Sequence, residues 1–186
     1  MPLTSNDKET LLSMANNAIK HHLELETETA FPINIEDFSI ELQSNGASFV
    51  TLTKNNELRG CIGSLEAYQP LIEDVTNNAQ AAAFSDPRFA PVSLAELKDI
   101  HIQVSVLTKP KAIEFSSEAD LLQQLRPNID GLIIEEQGRR GTFLPTVWES
   151  LTTPEQFLQH LKLKANLPAN YWSDSIKVYR YTTECF

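Results

Sequence analysis

Residues 47–64 read ASFVTLTKNNELRGCIGS, and this stretch predicts a β-hairpin. From Ala47 to Thr53, aromatic and hydroxyl-bearing side chains alternate with aliphatic ones, which is the period of a half-buried strand. An Asn-Asn pair then favours a tight turn, and Glu57–Ser64 returns as the partner strand. Cys61 is therefore expected in a strand or just beyond one.

Hydrophobic periodicity and capping residues predict further helices and strands along the chain. The predicted helices run from about Asp7 to about Leu25, from Pro70 to Ala83, from Ser116 or Ser117 to Leu125, and from Thr153 to about Asn166. The other predicted strands are Ile100–Leu107, Leu132–Ile134 and Ile176–Tyr181, with a second hairpin tip at Gln137–Gly141. Strands and helices interleave irregularly, so the sequence predicts an α+β fold with a largely antiparallel sheet packed against helices.

The chain has 186 residues, enough for one core or for a core with a smaller second lobe. We predict a single domain over residues 1–186, with a two-lobed arrangement as the alternative. No apolar run approaches the roughly twenty residues of a membrane span, so we expect no membrane association. The segment Met1–Asp7 lacks a basic stretch followed by an apolar one, which favours a cytoplasmic location over secretion.

Net charge and the few chemistry-bearing side chains argue against several classes of function. The formal net charge of −10 disfavours nucleic-acid binding, because affinity for a phosphate backbone comes largely from cations. Cys61 and Cys185 are far apart in the sequence, and a reducing cytoplasm favours two thiols over a disulfide. The four histidines lack the paired spacing of zinc sites, and no glycine-rich nucleotide-binding motif is present. We therefore predict no metal and no cofactor.

The strongest candidate site is the hexapeptide LRGCIG at 58–63, in which Arg59 and Cys61 flank Gly60. Glycine lets a backbone or a ligand approach closely, arginine offers a planar fork of donors, and a cation beside a cysteine can lower its pKa. The competing interpretation of Cys61 is a small, buried packing residue. A nucleophilic Cys61 would need a base, for which the sequence offers only His101 or a carboxylate brought in by folding.

Two arginines have two interpretations each. The structural interpretation of Arg59 and Arg88 is an ion pair with a buried Asp or Glu. In the functional interpretation, the loop Asp86–Phe89 folds back so that Arg88 joins Arg59 in binding an anionic group. The candidate ligand-binding residues are Arg59, Gly60, Asp86 and Arg88, and the candidate catalytic residue is Cys61.

Further motifs follow the hexapeptide in a fixed order. They are AAFSDPRF at 82–89, VSVLTKP at 104–110, and GTFLP at 141–145 followed by Val147, Trp148 and Glu149. With LRGCIG, these motifs make the chain resemble the AMMECR family, called AmmeMemoRadiSam system protein A in microbial genomes. The resemblance implies a one-domain or two-lobed α+β fold without a settled biochemical activity, and it implies Memo-like and radical-SAM proteins as partners.

The resemblance has two qualifications within the chain itself. The chain lacks the clustered cysteines that bind the iron–sulfur centre of radical-SAM proteins, so it would act beside such a protein. Where the family usually carries Glu before the SVL motif, this chain has Gln103. Glutamine cannot act as a general base, which weakens any mechanism that assigns proton transfer to this position.

Two functions of different classes remain. The favoured one is a binding or accessory module that uses a cleft around residues 58–63 to hold a small anionic ligand or a partner segment. The alternative is an enzyme in which Cys61 attacks an electrophilic substrate anchored by Arg59 and Arg88, giving covalent group transfer.

Overall fold

The computed structural model describes residues 3–25 and 31–186. Within them the α-helices are α1 (Ser5–Leu25), α2 (Ile40–Gln43), α3 (Leu71–Phe84), α4 (Glu118–Gln124) and α5 (Pro154–Lys164). The strands are β1 (Asn45–Gly46), β2 (Ser48–Lys54), β3 (Glu57–Gly63), β4 (Gln69–Pro70), β5 (Ile100–Leu107), β6 (Lys111–Ala112), β7 (Gly131–Glu136), β8 (Arg139–Phe143), β9 (Lys177–Tyr181) and β10 (Thr183–Cys185). Short 3-10 helices lie at Ile35–Asp37, Leu97–Asp99 and Pro145–Glu149. None of these helices is both long and apolar enough to cross a membrane.

The chain divides into two compact units. The first is Met1–Leu107 with Glu184–Phe186, and the second is Thr108–Thr183. Each unit has its own hydrophobic cluster and its own four-stranded sheet. The mixture of helices with antiparallel strand pairs confirms the predicted α+β class. That both units belong to a single domain stays a prediction.

The sheet of the first unit has the strand order β10-β5-β2-β3. β2 pairs antiparallel with both β3 and β5, which confirms the predicted hairpin. Asn55 and Asn56 join β2 to β3 with φ angles of 53° and 65°, the left-handed pair that a tight hairpin turn requires. β3 is the strand at one edge of this sheet, and α3 packs against both β2 and β3.

The core of the first unit lies between this sheet and the two long helices. β2 buries Val50 and Leu52 on the face toward α3, and Phe49, Thr51 and Thr53 lie half-buried on the opposite face. The helices contribute apolar residues at intervals of three and four: Leu11, Ala15 and Ile19 from α1, and Ile72, Val75, Ala79 and Ala82 from α3. The helical core therefore lies against the sheet face of Val50 and Leu52, opposite the face that carries Thr51.

A buried polar network fastens α3 to β2. Asp74 of α3 is fully buried, and its carboxylate accepts hydrogen bonds from the backbone N–H of Ser48 at 2.8 Å and from the Ser48 hydroxyl at 2.7 Å. The side-chain amide of Asn78 donates to the same carboxylate at 2.9 Å, and that of Gln69 donates at 3.1 Å. These bonds satisfy both carboxylate oxygens inside the protein, so the network fixes the helix against the strand.

The sheet of the second unit has the strand order β6-β9-β7-β8, with α5 packed against β8. The second predicted hairpin is confirmed, since β7 pairs with β8. Its tip is shorter than the predicted Gln137–Gly141: the turn contains Gln137 with a φ of 48° and Gly138 with a φ of 77°, and Arg139–Gly141 belong to β8. Thr153 caps α5 as predicted, because its hydroxyl accepts a hydrogen bond from the Gln156 N–H at 3.3 Å.

Several short elements are absent from the sequence prediction. These are α2, the paired strands β1 and β4, the edge strand β6, and β10, which lies beside β5. The helix expected to reach Leu125 ends at Gln124, although Ser117 does cap it by accepting from the Asp120 N–H. Elements of two to four residues contain too few side chains to show a period, so pattern analysis does not find them.

Replacing Asp74 by Ala is expected to lower the free energy of unfolding by about 3 kcal/mol, because buried donors of Ser48 and Asn78 lose their acceptor. Urea unfolding followed by circular dichroism measures the change. Glu73→Ala, one position earlier in α3, is the control and is expected to cost less than about 1 kcal/mol. Equal losses in the two variants would contradict the role given to the network.

Candidate functional site

The candidate hexapeptide makes up all of β3 after Glu57, at the edge of the sheet. Its pairing with β2 shifts once, because Leu52 lies opposite Gly60 whereas Thr53 lies opposite Leu58. Arg59 is therefore the extra residue of a β-bulge, a feature that redirects a side chain out of the regular alternation. The redirected guanidinium reaches Pro91 and Glu96 rather than a position above Cys61.

Gly60 marks the closest approach between β3 and α3. A Cβ atom built on Gly60 would lie 2.1 Å from the backbone oxygen of Ala82, a distance that no side chain tolerates. The backbone of α3 thus occupies the space that the missing side chain leaves. This contact fixes the position of the strand residue immediately before Cys61.

Cys61 points to the sheet face opposite α3, because Gly60 before it faces the helix. Its side chain is half-buried, and Sγ lies 3.3 Å from the hydroxyl oxygen of Thr51, which is directly opposite on β2. Gln103 lies opposite Thr51 on β5, so two strand spacings, about 10 Å, separate it from Cys61. Across residues 3–25 and 31–186, no histidine or carboxylate is hydrogen-bonded to Sγ.

Two charged side chains take the place of a neighbouring strand at Cys61. The Asp86 carboxylate accepts a hydrogen bond from the Cys61 N–H at 2.9 Å, and Nη2 of Arg88 donates to the Cys61 carbonyl at 3.2 Å. Arg88 also donates to Asp86 through Nε at 2.9 Å and through Nη2 at 2.7 Å. We call the Cys61 backbone with Asp86 and Arg88 the edge clasp, since it closes the outer edge of the sheet at this point.

The two charged members of the edge clasp differ in exposure. The Asp86 side chain is 2% exposed, whereas the Arg88 side chain is 53% exposed. The Arg88 guanidinium, together with the N–H of Cys61, holds the pKa of the Asp86 carboxyl well below its usual range. Asp86 is therefore ionised at neutral pH. The hydrogen bonds of Arg88 within the described part of the chain use Nε, Nη2 and the backbone N–H, and its guanidinium carbon lies 5.4 Å from the centroid of the Phe89 ring.

Glu96 gathers a second set of donors beside β3. It accepts from Nζ of Lys54 at 2.9 Å, from Nε and Nη2 of Arg59 at 3.3 Å, and from the N–H and hydroxyl of Ser93 at 3.2 Å. Nη2 of Arg59 also donates to the carbonyl of Pro91 at 3.3 Å. The hydrogen bonds from Lys54 and Arg59 lower the pKa of Glu96 to about 2. The set holds the loop 91–96 against the β2–β3 hairpin.

Sequence reasoning missed Glu96, although the sequence carries one signal for it. Ser93 and Glu96 form the Ser-x-x-Glu pattern of a capping box, directly before the 3-10 helix Leu97–Asp99. The pattern explains the contact between these two residues. It gives no indication that Arg59, which is 37 residues away, completes the cluster.

The structure brings Gly60, Asp86 and Arg88 to the backbone of Cys61 and leads Arg59 elsewhere. Arg88 pairs with the buried Asp86, as its structural interpretation requires, whereas Arg59 pairs with Glu96, whose side chain is 23% exposed. Arg88 also keeps the exposed donors that its functional interpretation requires.

Two large apolar side chains near the site are exposed. Leu58 precedes Arg59 on β3 and is 45% exposed, and Leu94 lies in the loop between Ser93 and Glu96 and is 60% exposed. Single exposed leucines are ordinary, but these two belong to the two segments that the Arg59–Glu96 ion pair joins.

The second cysteine lies on another strand of the same sheet. Sγ of Cys185 is 3.1 Å from the hydroxyl oxygen of Ser105, and neither Cys185 nor Cys61 takes part in a disulfide. Among the described residues, no three His, Cys, Asp or Glu side chains are grouped as metal ligands. The chemistry visible at the site is therefore that of one thiol, an exposed guanidinium and two sequestered carboxylates.

Comparison with known proteins gives a consistent result. The chain matches the AMMECR1 family model over residues 12–186. It is 39% identical over 191 residues to a protein of Methanothermobacter thermautotrophicus, with 100% of this chain and 96% of the relative covered. Protein MJ0810 of Methanocaldococcus jannaschii is also 39% identical, with 83% of this chain and 79% of the relative covered. The crystal structure of the uncharacterized protein PH0010 from Pyrococcus horikoshii is similar, with a TM-score of 0.77, 36% identity, and coverage of 95% of this chain and 89% of that one.

Gly60→Ala is expected to lower the free energy of unfolding by about 3 kcal/mol, because the added Cβ would collide with the backbone oxygen of Ala82. The control is Gly138→Ala, where the added Cβ meets no atom within 4 Å and the cost comes from the φ of +77° alone. That control is expected to lose about 1 kcal/mol. Urea unfolding measures both. A Gly60 variant no less stable than the Gly138 variant would contradict the close approach.

The stabilising contribution of Glu96 is expected to depend on pH. Folding lowers the pKa of Glu96 from its ordinary 4.5 to about 2, so its contribution is complete above the ordinary value and is lost as pH falls through about 2. The measurement is the difference in free energy of unfolding between the parent protein and Glu96→Gln at a series of pH values. The difference should be constant above the ordinary pKa and shrink below it. A constant difference down to the lowest accessible pH would contradict the ionised cluster.

Proposed function

The chain belongs to the AMMECR1 family, and from this premise we propose that it is a binding or accessory module whose docking surface surrounds the edge clasp. The module holds a small anionic ligand or a partner segment and acts with Memo-like and radical-SAM proteins. Its location is the cytoplasm, where the thiols of Cys61 and Cys185 stay reduced.

The observation that carries the proposal is the difference in exposure between the two charged side chains of the edge clasp. Asp86 is buried and saturated by donors, whereas the side chain of Arg88 is 53% exposed. A guanidinium fixed on one side by a carboxylate and open on the other is prepared for an anion, because little side-chain entropy is lost on binding. The anion would meet Arg88 beside the carbonyl of Cys61.

Arg59 supplies a second, independent support. Its Nη1 atom is covered from solvent, and no group in residues 3–25 or 31–186 accepts a hydrogen bond from it. A covered donor without an acceptor costs about 1–3 kcal/mol. An anionic oxygen would recover that energy where it displaced the groups that now cover Nη1.

Of the two proposed ligands, a small anion and a partner segment, the exposed leucines favour the partner segment. A segment lying across the Arg59–Glu96 ion pair would cover the apolar surface of Leu58 and Leu94. Burial of apolar surface stabilises a complex by about 25 cal/mol per Å². Covering the two leucines would therefore add to the binding free energy that the contact with Arg88 provides. A carboxylate on the same segment would bond to Arg88.

The surroundings of Cys61 favour binding over covalent catalysis. The hydrogen-bond partner of Sγ is the hydroxyl of Thr51, which does not remove a proton from a thiol at neutral pH. Strand β2 lies between Gln103 and Cys61, and Gln103 has no basic group. The alternative function, a cysteine-dependent enzyme, needs an activated thiolate and is separated from the proposal by experiment.

Arg88→Gln is expected to weaken binding at least about tenfold, because a charged hydrogen bond to the ligand is lost. The measurement is isothermal titration calorimetry with inorganic phosphate, and with a Memo-like and a radical-SAM protein from the same organism. The matched control is Arg126→Gln, since Arg126 is 51% exposed and pairs with a fully buried Asp130 in the second unit. The control is expected to bind like the parent protein.

Cys61→Ser separates the two functions. The binding module should keep its affinities in this variant, and a cysteine enzyme should lose a thiol-dependent activity that the purified parent protein shows alone. Absence of binding to all three probes by the folded parent protein would contradict the proposal. Equal binding by the Arg88 and Arg126 variants would also contradict it.

A further inference from the structure

The loop that carries Asp86 and Arg88 borders a second cavity in the first unit. This cavity has a volume of about 460 Å³ and lies along the last two turns of α3. Its lining includes His22 from α1, the α3 residues Asn77, Gln80 and Phe84, and Pro91 from the loop. The edge clasp contributes no residue to the lining, although Pro91 also accepts a hydrogen bond from Arg59 at the docking surface proposed above.

A flat aromatic wall forms one side of the cavity. The imidazole ring of His22 stacks on the phenyl ring of Phe84 with centroids 3.9 Å apart and planes inclined by 14°. Both rings line the cavity. Because each ring covers one face of the other, each keeps one outer face, whose π-electrons attract a flat or cationic group.

The side-chain amides of Asn77 and Gln80 each use one donor within the protein. The amide nitrogen of Gln80 donates to the carbonyl of Ala18 at 3.2 Å, and that of Asn77 donates to Oε1 of Gln69 at 3.3 Å. The carbonyl oxygens of both side-chain amides remain as acceptors. A ligand that brings N–H donors therefore finds two amide oxygens that can accept from it.

The electrostatics of the cavity favour a cation. The lining contains no lysine or arginine, and it lies at the carboxyl end of the 14-residue helix α3, where the helix dipole concentrates negative charge. The protein as a whole carries a net charge of −10, which raises the local concentration of cations. Arg59 does bond to the carbonyl of Pro91, but Glu96 offsets its charge.

We propose that this cavity is a binding site for a guanidinium group. A guanidinium is flat enough to stack on the His22–Phe84 pair, it is cationic, and it carries N–H donors around its rim for the oxygens of Asn77 and Gln80. A free arginine derivative and an arginine side chain of a protein partner present the same group. The inference does not rest on the function proposed for the edge clasp.

The test is a titration of the ¹⁵N-labelled protein with N-acetyl-arginine amide, followed by the amide signals of His22, Gln80 and Phe84. Saturable shifts of these signals are expected at millimolar concentration or below. N-acetyl-citrulline amide has nearly the same shape without the charge, and it should bind much more weakly. Absence of saturable shifts with the arginine probe, or equal binding of the two probes, would overturn the proposal.

Substitutions of Asn77 test whether negative charge near the cavity strengthens binding of the arginine probe and positive charge weakens it. Asn77 is exposed on α3, so its variants should fold. Asn77→Asp should raise the affinity for the arginine probe about fivefold by adding a nearby negative charge, and Asn77→Lys should abolish binding. Asn17→Lys makes the same charge change at an exposed position of α1 outside the cavity and should leave affinity within about twofold of the parent value. An Asn77→Lys variant that binds like the Asn17→Lys control would overturn the proposal.

The peptide acetyl-Gly-Arg-Gly-amide distinguishes the two sources of the guanidinium group. Tighter binding of the peptide than of the amino-acid amide would assign the cavity to a protein partner. Equal or weaker binding of the peptide would assign it to a small guanidinium compound. Both results require the cavity to bind guanidinium, so each supports the proposal.

Discussion

The exposed edge of β3 is the constraint on which the candidate site depends. An edge strand presents backbone donors and acceptors that need partners, and at Cys61 these partners are the side chains of Asp86 and Arg88 rather than another strand. The carboxylate takes the N–H and the guanidinium takes the carbonyl, and the two side chains bond to each other. One ion pair thus closes the sheet and places a half-exposed arginine beside a cysteine.

The remaining features of the site follow from holding that edge in place. Gly60 lets β3 lie directly against the backbone of α3, and the Asp74 network fastens α3 to the neighbouring strand β2. The bulge at Arg59 turns a second arginine toward Glu96, which anchors the loop 91–96. The surface that results carries the half-exposed guanidinium of Arg88 and the exposed side chains of Leu58 and Leu94.

The sequence predicts what local patterns can specify. The β2–β3 hairpin follows from alternation and an Asn-Asn turn, and the cap of α5 follows from Thr153, because each signal lies within a few residues. The partners of Arg59 and Cys61 could not be predicted, since Glu96 and Asp86 lie 37 and 25 residues away. Spacing along the chain does not encode such contacts; they follow from packing of the loop against the strand.

Hydrogen exchange of the Cys61 amide tests the edge clasp most directly. The account predicts that this amide is protected in the parent protein and that Asp86→Ala accelerates its exchange at least about tenfold more than that of Ile62, which faces β2. Asp7→Ala removes another buried carboxylate of the same unit and should change both amides equally. A Cys61 amide that exchanges rapidly in the parent protein, or at the same rate with and without Asp86, would contradict the account.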